Sequence, residues 1–200
     1  MPLTVEVEEL ASWLRISSSE SANELTVAAT AAAAAIESFC GWTFDEAATT
    51  ETARVFPARW ADLIYIDPMA VDTGLAIAVD TSDDGTFNQT WAAADYQLEP
   101  LNQRRAGLSD HPYFRVRAIE TKSFPIGKRA TVQVTARWGW TTVPEPVQAA
   151  TLMHAARLHA RRNTVAGIAT GEALPTRMAM GLDADVRSLL MPYQRQDLWQ

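Results

Sequence analysis

Two hundred residues with 48% hydrophobic content are enough for a packed core and exclude a chain that is disordered in the main. The longest apolar run, residues 27–36, is mostly alanine and far short of the roughly 20 residues that span a bilayer. No basic-then-apolar leader opens the chain, so a soluble, non-exported product is expected. The net charge of -7 is unevenly placed: residues 1–50 carry eight acids and one base, 51–143 eleven and ten, and 144–200 five and six. Such a chain is a poor candidate for gripping nucleic acid through clustered Lys and Arg.

In chain order, Val7, Leu10, Ala11 and Leu14 fall at i, i+3, i+4 and i+7 and predict an amphipathic helix over Val5–Leu14, signalled by Thr4 and ended by Ser17-Ser18-Ser19. Ser21 with Glu24 makes a capping box for a second helix, Ser21–Cys40. Leu25, Ala28, Ala29, Ala32, Ile36, Phe39 and Cys40 line its stripe, and Gly41 closes it. Cys40 is the single cysteine; it cannot make an internal disulfide and reads as a small buried apolar residue.

From Glu51 to Trp138 the pattern is β, with strands expected at Ala53–Phe56, Leu63–Ile66, Leu75–Val79, Tyr96–Leu98, Phe114–Ile119 and Thr131–Trp138. The last of these alternates Val132, Val134 and Ala136 with Gln133, Thr135 and Arg137 until Gly139 breaks it and a turn follows. Pro144 and Pro146, which lack a donor N–H, suit the first turn of a helix over Val147–Arg162, with Glu145 at the positive end of its dipole. Gly167, Gly171, Pro175 and Gly181 then mark a long loop. That loop and the tail from Pro192 are expected to be poorly ordered until docked. Asp183 caps a last helix, Asp185–Leu190.

The fold class that results is α+β. Two N-terminal helices (1–50) and two C-terminal helices (144–200) form a bundle, and residues 51–143 form a large inserted antiparallel β region, together one compact domain with an insertion. Leu10, Leu14, Ile36, Phe39, Leu152 and Met153 are the expected core of the bundle.

Residues that carry chemistry are scattered. Asp80-Thr81-Ser82-Asp83-Asp84-Gly85 begins like a calcium loop, but Trp91 stands where a bidentate Glu is needed and strands replace the flanking helices, so a hairpin turn is expected. His154 and His159 stand about 140° apart on a helix, not on one face. His111 precedes a proline in a loop. No nucleophile elbow, phosphate loop, dinucleotide fingerprint or Cys-x-x-Cys occurs, so no catalytic, metal or cofactor site is expected.

Seven tryptophans point to interfaces, with Trp138, Trp140 and Trp199 as candidates beside Tyr193, although packing inside a core is the plainer role. Arg157, Arg161 and Arg162 suit the dipole at a helix end, or another subunit's acidic N-terminal helices.

The segment Trp138-Gly139-Trp140, Val143-Pro144-Glu145-Pro146-Val147 and a helix ending Arg161-Arg162 resembles the head-tail connector (adaptor) proteins of tailed bacteriophages. The resemblance extends in order over most of the chain: Val7-Glu8-Glu9-Leu10 with Trp13-Leu14-Arg15-Ile16, Phe39-Cys40-Gly41-Trp42-Thr43-Phe44, Arg54-Val55-Phe56-Pro57, the Asp-Gly turn before Trp91 and Tyr96, Leu182-Asp183-Ala184-Asp185-Val186, and Pro192-Tyr193. It implies a virion protein without enzymatic activity or cofactor. The implied assembly is a homo-oligomeric ring, commonly of twelve copies, made in the host cytoplasm and docked at the head-tail junction between the portal and the tail or stopper protein, with DNA passing through unbound and no membrane involved. The C-terminal segment is the implied portal-facing part, and the β-insert loops the contacts to neighbours or tail. The alternative from the residues themselves is a small β-containing enzyme or carbohydrate-binding module using exposed tryptophans.

Overall fold

The computed structural model describes Leu3 and residues 5–105, 107–161, 168–169, 176–177 and 181–195, without the side chains of 18–21, 168–169 and 176–177. The chain is α+β, with antiparallel sheets, and divides into two compact units: residues 1–43 with 143–200, and residues 44–142.

The helical unit holds α1 (Val7–Leu14), α2 (Ser18–Cys40), α3 (Glu145–Arg161) and α4 (Ala184–Leu190). The serines expected to end α1 instead open α2; α1 stops because Arg15 turns left-handed at φ 57°, and Ser17 is the extended residue before the next helix. Gly41 closes α2 as its sequence predicts, at φ 71° with its N–H donating to Glu37 O at 2.8 Å. Leu10, Ala11, Leu25, Ala29 and Ala32 pack with Leu152, Ala155 and Ala156 of α3, the alanines letting the helices approach closely.

Ile36 is also buried, but Leu14, Phe39 and Met153 are only half-buried. Leu14 and Phe39 stand in the final turns of their helices, and Met153 lies one residue off the stripe formed by Leu152, Ala155 and Ala156.

The start of the tail is packed, which corrects the expectation that it is loose from Pro192 onward. After α4 a short turn over Met191–Tyr193 leaves Tyr193 4% exposed. Arg195 N–H then donates to Cys40 O at 2.8 Å, and the Gln194 side chain to Phe39 O at 3.4 Å. The guanidinium of Arg195 lies 4.9 Å over Trp42. The last carbonyls of a helix have no partner within it, and here the tail supplies the donors. The loop expected over Gly167–Gly181 falls mostly outside the described residues; within it β8 (Ile168–Ala169) pairs antiparallel with β9 (Thr176–Arg177).

The β unit contains one sheet in the order β1 (Thr52–Phe56), β7 (Val132–Arg137), β3 (Val71–Val79), β4 (Gln89–Trp91), and another in the order β2 (Leu63–Met69), β6 (Tyr113–Ala118), β5 (Tyr96–Glu99). Both are antiparallel. Their shared core holds Phe56, Ile64, Ile66, Ile77, Val79, Trp91, Val116, Phe124, Val132, Val134 and Trp138. Strand β7 alternates buried and half-buried residues as its sequence predicts. Strand β4, three residues long, is too short to show a period and was not expected.

No turn follows directly at Gly139. The chain stays bridged through Trp140, whose N–H donates to Asp45 O at 2.8 Å and whose carbonyl accepts from Ala47 N–H at 2.7 Å. Glycine is required here: at φ 130° a Cβ would meet the Ala47 main chain at 2.7 Å.

Candidate interaction surfaces

Arg157, expected to serve the helix dipole or another subunit, is paired with acids inside the helical unit. Its Nη1 and Nη2 donate to the two carboxylate oxygens of Asp185 at 3.0 and 2.5 Å, and its Nε lies 3.0 Å from Asp183 Oδ2. A fork of this geometry suits a carboxylate better than a point charge would. The pair holds the Asp185 carboxyl below its ordinary range, helped by the Val186 N–H, and raises the guanidinium. Asp183 stands at the N-cap of α4 but makes no side-chain capping bond; its carboxylate faces Arg157 of α3 instead. Arg161 is half-buried one turn on, and its charge, after burial, lowers the pKa of His154. Arg162 and Trp199 lie outside the described residues.

The tryptophans singled out at the end of β7 are buried. Trp138 is 5% exposed, its Nε1 donates to Thr52 O at 2.8 Å, and its ring packs 5.5 Å from Phe56. Trp140 is 2% exposed, against Phe44 at 5.0 Å and His111 at 5.1 Å. Neither offers a platform to a planar ligand. Tyr193 is likewise buried, and burial raises its hydroxyl pKa. Among the described tryptophans, Trp13 and Trp60 are exposed, at 58% and 40%.

The titratable groups do not converge. Asp80 is buried at the β3–β4 turn, where its carboxylate accepts from Ser82 N–H at 2.9 Å and Gly85 N–H at 2.6 Å. Asp83 accepts from Lys128 and Arg129 N–H. Asp80 thus serves main-chain donors within its own turn, the local interaction that draws Asp to such positions, while Asp83 ties the turn to the segment before β7.

His111 donates from Nδ1 to Pro112 O at 2.8 Å. Burial, reinforced by the Arg105 charge and only partly opposed by that bond, pushes its pKa down to about 4. His154 is buried in α3, while His159 Nε2 stands 3.9 Å from Glu24. Among the described residues no three His, Cys, Asp or Glu side chains are grouped as a metal site, and no helix is long and apolar enough to cross a membrane.

Two surface features were not foreseen. Between α2 and α3 runs a groove of about 420 Å³ lined by Asn23, Glu24, Val27, Ala28, Ala31, Leu158 and His159. Its signal was Val27, an aliphatic residue off the α2 core stripe and 68% exposed. The second is the excursion from β5 to β6, where His111 N–H donates to Gln103 O at 2.9 Å and the Gln103 side chain to Ala70 O at 2.7 Å. It presents Arg104 and a 57% exposed Leu101.

No protein-family model and no curated protein matches the chain. Among solved structures it is similar to a chain from the neck of an empty GTA (gene transfer agent) particle computed with C6 symmetry, with a TM-score of 0.53 and 19% identity over 93% of this chain and 89% of that one. A chain from the neck of a native GTA particle computed with C12 symmetry aligns over 94% of each at 19% identity and a TM-score of 0.48. The chain has the fold of a GTA neck component.

Proposed function

We propose that this chain is a structural virion protein, a head-to-tail connector that forms a ring between the portal and the tail or stopper protein. The observation that carries this is the likeness to a neck chain along nearly the whole of both molecules, in a neck computed with C6 symmetry. The ordered motifs from Val7 to Tyr193 support it independently. Twelve copies, a portal-facing C-terminal segment, β-insert loops meeting neighbours or tail, and DNA passing without specific contact are the finer parts of the proposal. The protein would be made in the bacterial cytoplasm and reside at the head-tail junction.

The role is one of assembly and not of catalysis. The tryptophan-platform alternative loses its best feature with the burial of Trp138 and Trp140.

The test is electron microscopy of particles made with and without the gene. Filled heads should accumulate without tails when it is absent, and density for both the helical and β units should appear as a ring at the neck when it is present. Complete tailed particles lacking the protein would refute the proposal.

A further inference from the structure

Large apolar side chains left in water call for an account when they cluster. In the helical unit they fall at two such places. At the end of α1, Trp13 is 58% and Ile16 39% exposed, flanking Arg15. In the α2–α3 groove, Val27 is 68% exposed beside Ala28, Ala31 and Leu158, with Glu24 and His159 at the rim. Met191, also exposed, stands apart at the end of α4.

Around α2, residues 24, 27 and 31 lie roughly 130° from Leu25, Ala29 and Ala32, which pack with α1 and α3. The groove therefore opens on a flank of α2 other than the one that packs with α1. No residue of α1 or of Arg15–Ile16 lines the groove.

Between copies the end of α1 and the groove can meet. Arg15 is the one base among residues 1–50, and Glu24, with a 42% exposed side chain, is an acid at the groove. A knob of two apolar side chains around a cation matches an apolar floor with a carboxylate at its edge. Two different patches on one subunit make a head-to-tail contact, the kind that closes into a ring. We infer that Trp13, Arg15 and Ile16 of one copy seat in the α2–α3 groove of the next. This deepens the ring reading and rests on it.

The experiment uses full-length chains with one added thiol each, Ile16→Cys and Asn23→Cys. Native Cys40 does not compete, because burial, and then Glu37, push its thiol up to about 12. Mixed at high concentration and in assembled necks, the two chains should form a 16–23 disulfide, while neither variant cross-links to itself.

Val27→Asp provides the discriminating control. Placed in the Asn23→Cys chain it should cut the cross-link at least about tenfold; placed in the Ile16→Cys chain, whose groove is not used in that pair, it should leave the yield unchanged. Trp13→Ala should show the opposite asymmetry, as an aromatic anchor would. All variants should melt like the parent.

Equal effects in both chains, 16–16 or 23–23 products, or protection of Asn23→Cys by portal protein alone would each overturn the inference. Necks that assemble without the 16–23 product would sink the contact and leave the ring standing. Necks that lack the protein altogether would sink the ring.

Discussion

Replacing Trp138 by Ala separates a core tryptophan from a surface platform. The indole is 5% exposed, and an aromatic side chain buries about 150–250 Å², which at about 25 cal/mol/Å² is about 4–6 kcal/mol of transfer free energy. Truncation also leaves Thr52 O without its donor at 2.8 Å, about 1 kcal/mol more, while relaxation around the hole returns part of the loss. Substitutions of this kind cost about 3–5 kcal/mol, and we take about 4. For a unit spanning residues 44–142, each kcal/mol moves the melting temperature by about 4–8 °C, so a drop of about 15–30 °C is expected.

Trp138→Phe keeps the packing on Phe56 and loses only the hydrogen bond and some area, so a fall of about 5–15 °C should follow. Differential scanning calorimetry with circular dichroism would measure both. A Trp138→Ala transition within about 3 °C of the parent would refute the burial argument and restore the platform.

Three further outcomes are expected. Burial raises the Asp80 carboxyl, but N–H bonds from Gly85, Ser82, Asp84 and Asp83 outweigh it and hold the pKa below the ordinary carboxylate range. Its stabilisation is therefore complete above about pH 4 and lost as pH falls through the lowered value. Asp80→Asn should lower the melting temperature at neutral pH and flatten its acid dependence; parallel pH curves would contradict this. Arg157→Ala should speed amide hydrogen exchange across Ala184–Leu190 without changing Leu25–Ile36, and unchanged exchange would mean that the pair is idle, as exposed pairs often are. Deleting residues 193–200 should destabilise the helical unit by about 3 kcal/mol and expose Cys40 to thiol reagents, because it removes the Tyr193 ring and the donor to Cys40 O. A truncated protein that melts like the parent would show that the tail adds nothing.

What the sequence revealed depended on whether the interaction was local. Gly41 and the alternation of β7 are properties of a few consecutive residues, and both appear where the pattern puts them. The start of α2 was set three residues late because Ser17 and Ser21 are both capping residues by type; the chain uses Ser17 as the extended residue before the helix, without a side-chain cap bond. Long-range partners were invisible. Asp183 is an ordinary N-cap residue by type, yet its carboxylate serves Arg157, a helix away. Gln194 and Arg195 look like a polar tail, yet they donate to carbonyls at the end of α2 that the helix itself leaves unpaired. Trp138 and Trp140 were singled out for interfaces and lie buried for the related reason that Trp suits cores and interfaces equally, and only the partner strand decides. Val27 was legible as an aliphatic residue off the core stripe, but what covers such a residue is not written in its own helix.

The same long-range pairing bears on how DNA would pass a ring of these chains. Affinity for a duplex comes from cations that displace condensed counterions, so the relevant quantity is not the number of arginines but the number not already neutralised. Of the ten bases in residues 51–143, at least five lie within 4.0 Å of a carboxylate: Arg54 with Asp67, Arg115 with Glu99, Arg117 with Glu99 and Asp62, Lys122 with Asp95, and Arg137 with Glu51. Arg157 is held by two more acids in the helical unit. Such partly exposed pairs add little to stability, about 0–1 kcal/mol each, but each leaves one cation fewer for a phosphate. Residues 1–43, which hold the first two helices, add six acids against the single base Arg15, so a face to which those helices contribute gains negative charge. The purified protein should therefore show no duplex binding in an anisotropy titration even at low salt. The double variant Asp183→Asn and Asp185→Asn, which releases Arg157, should raise the signal only where salt is lowest. Tight binding by the parent that weakens steeply with salt would show that unpaired bases dominate the surface and would replace the proposed passive collar with a clamp on DNA.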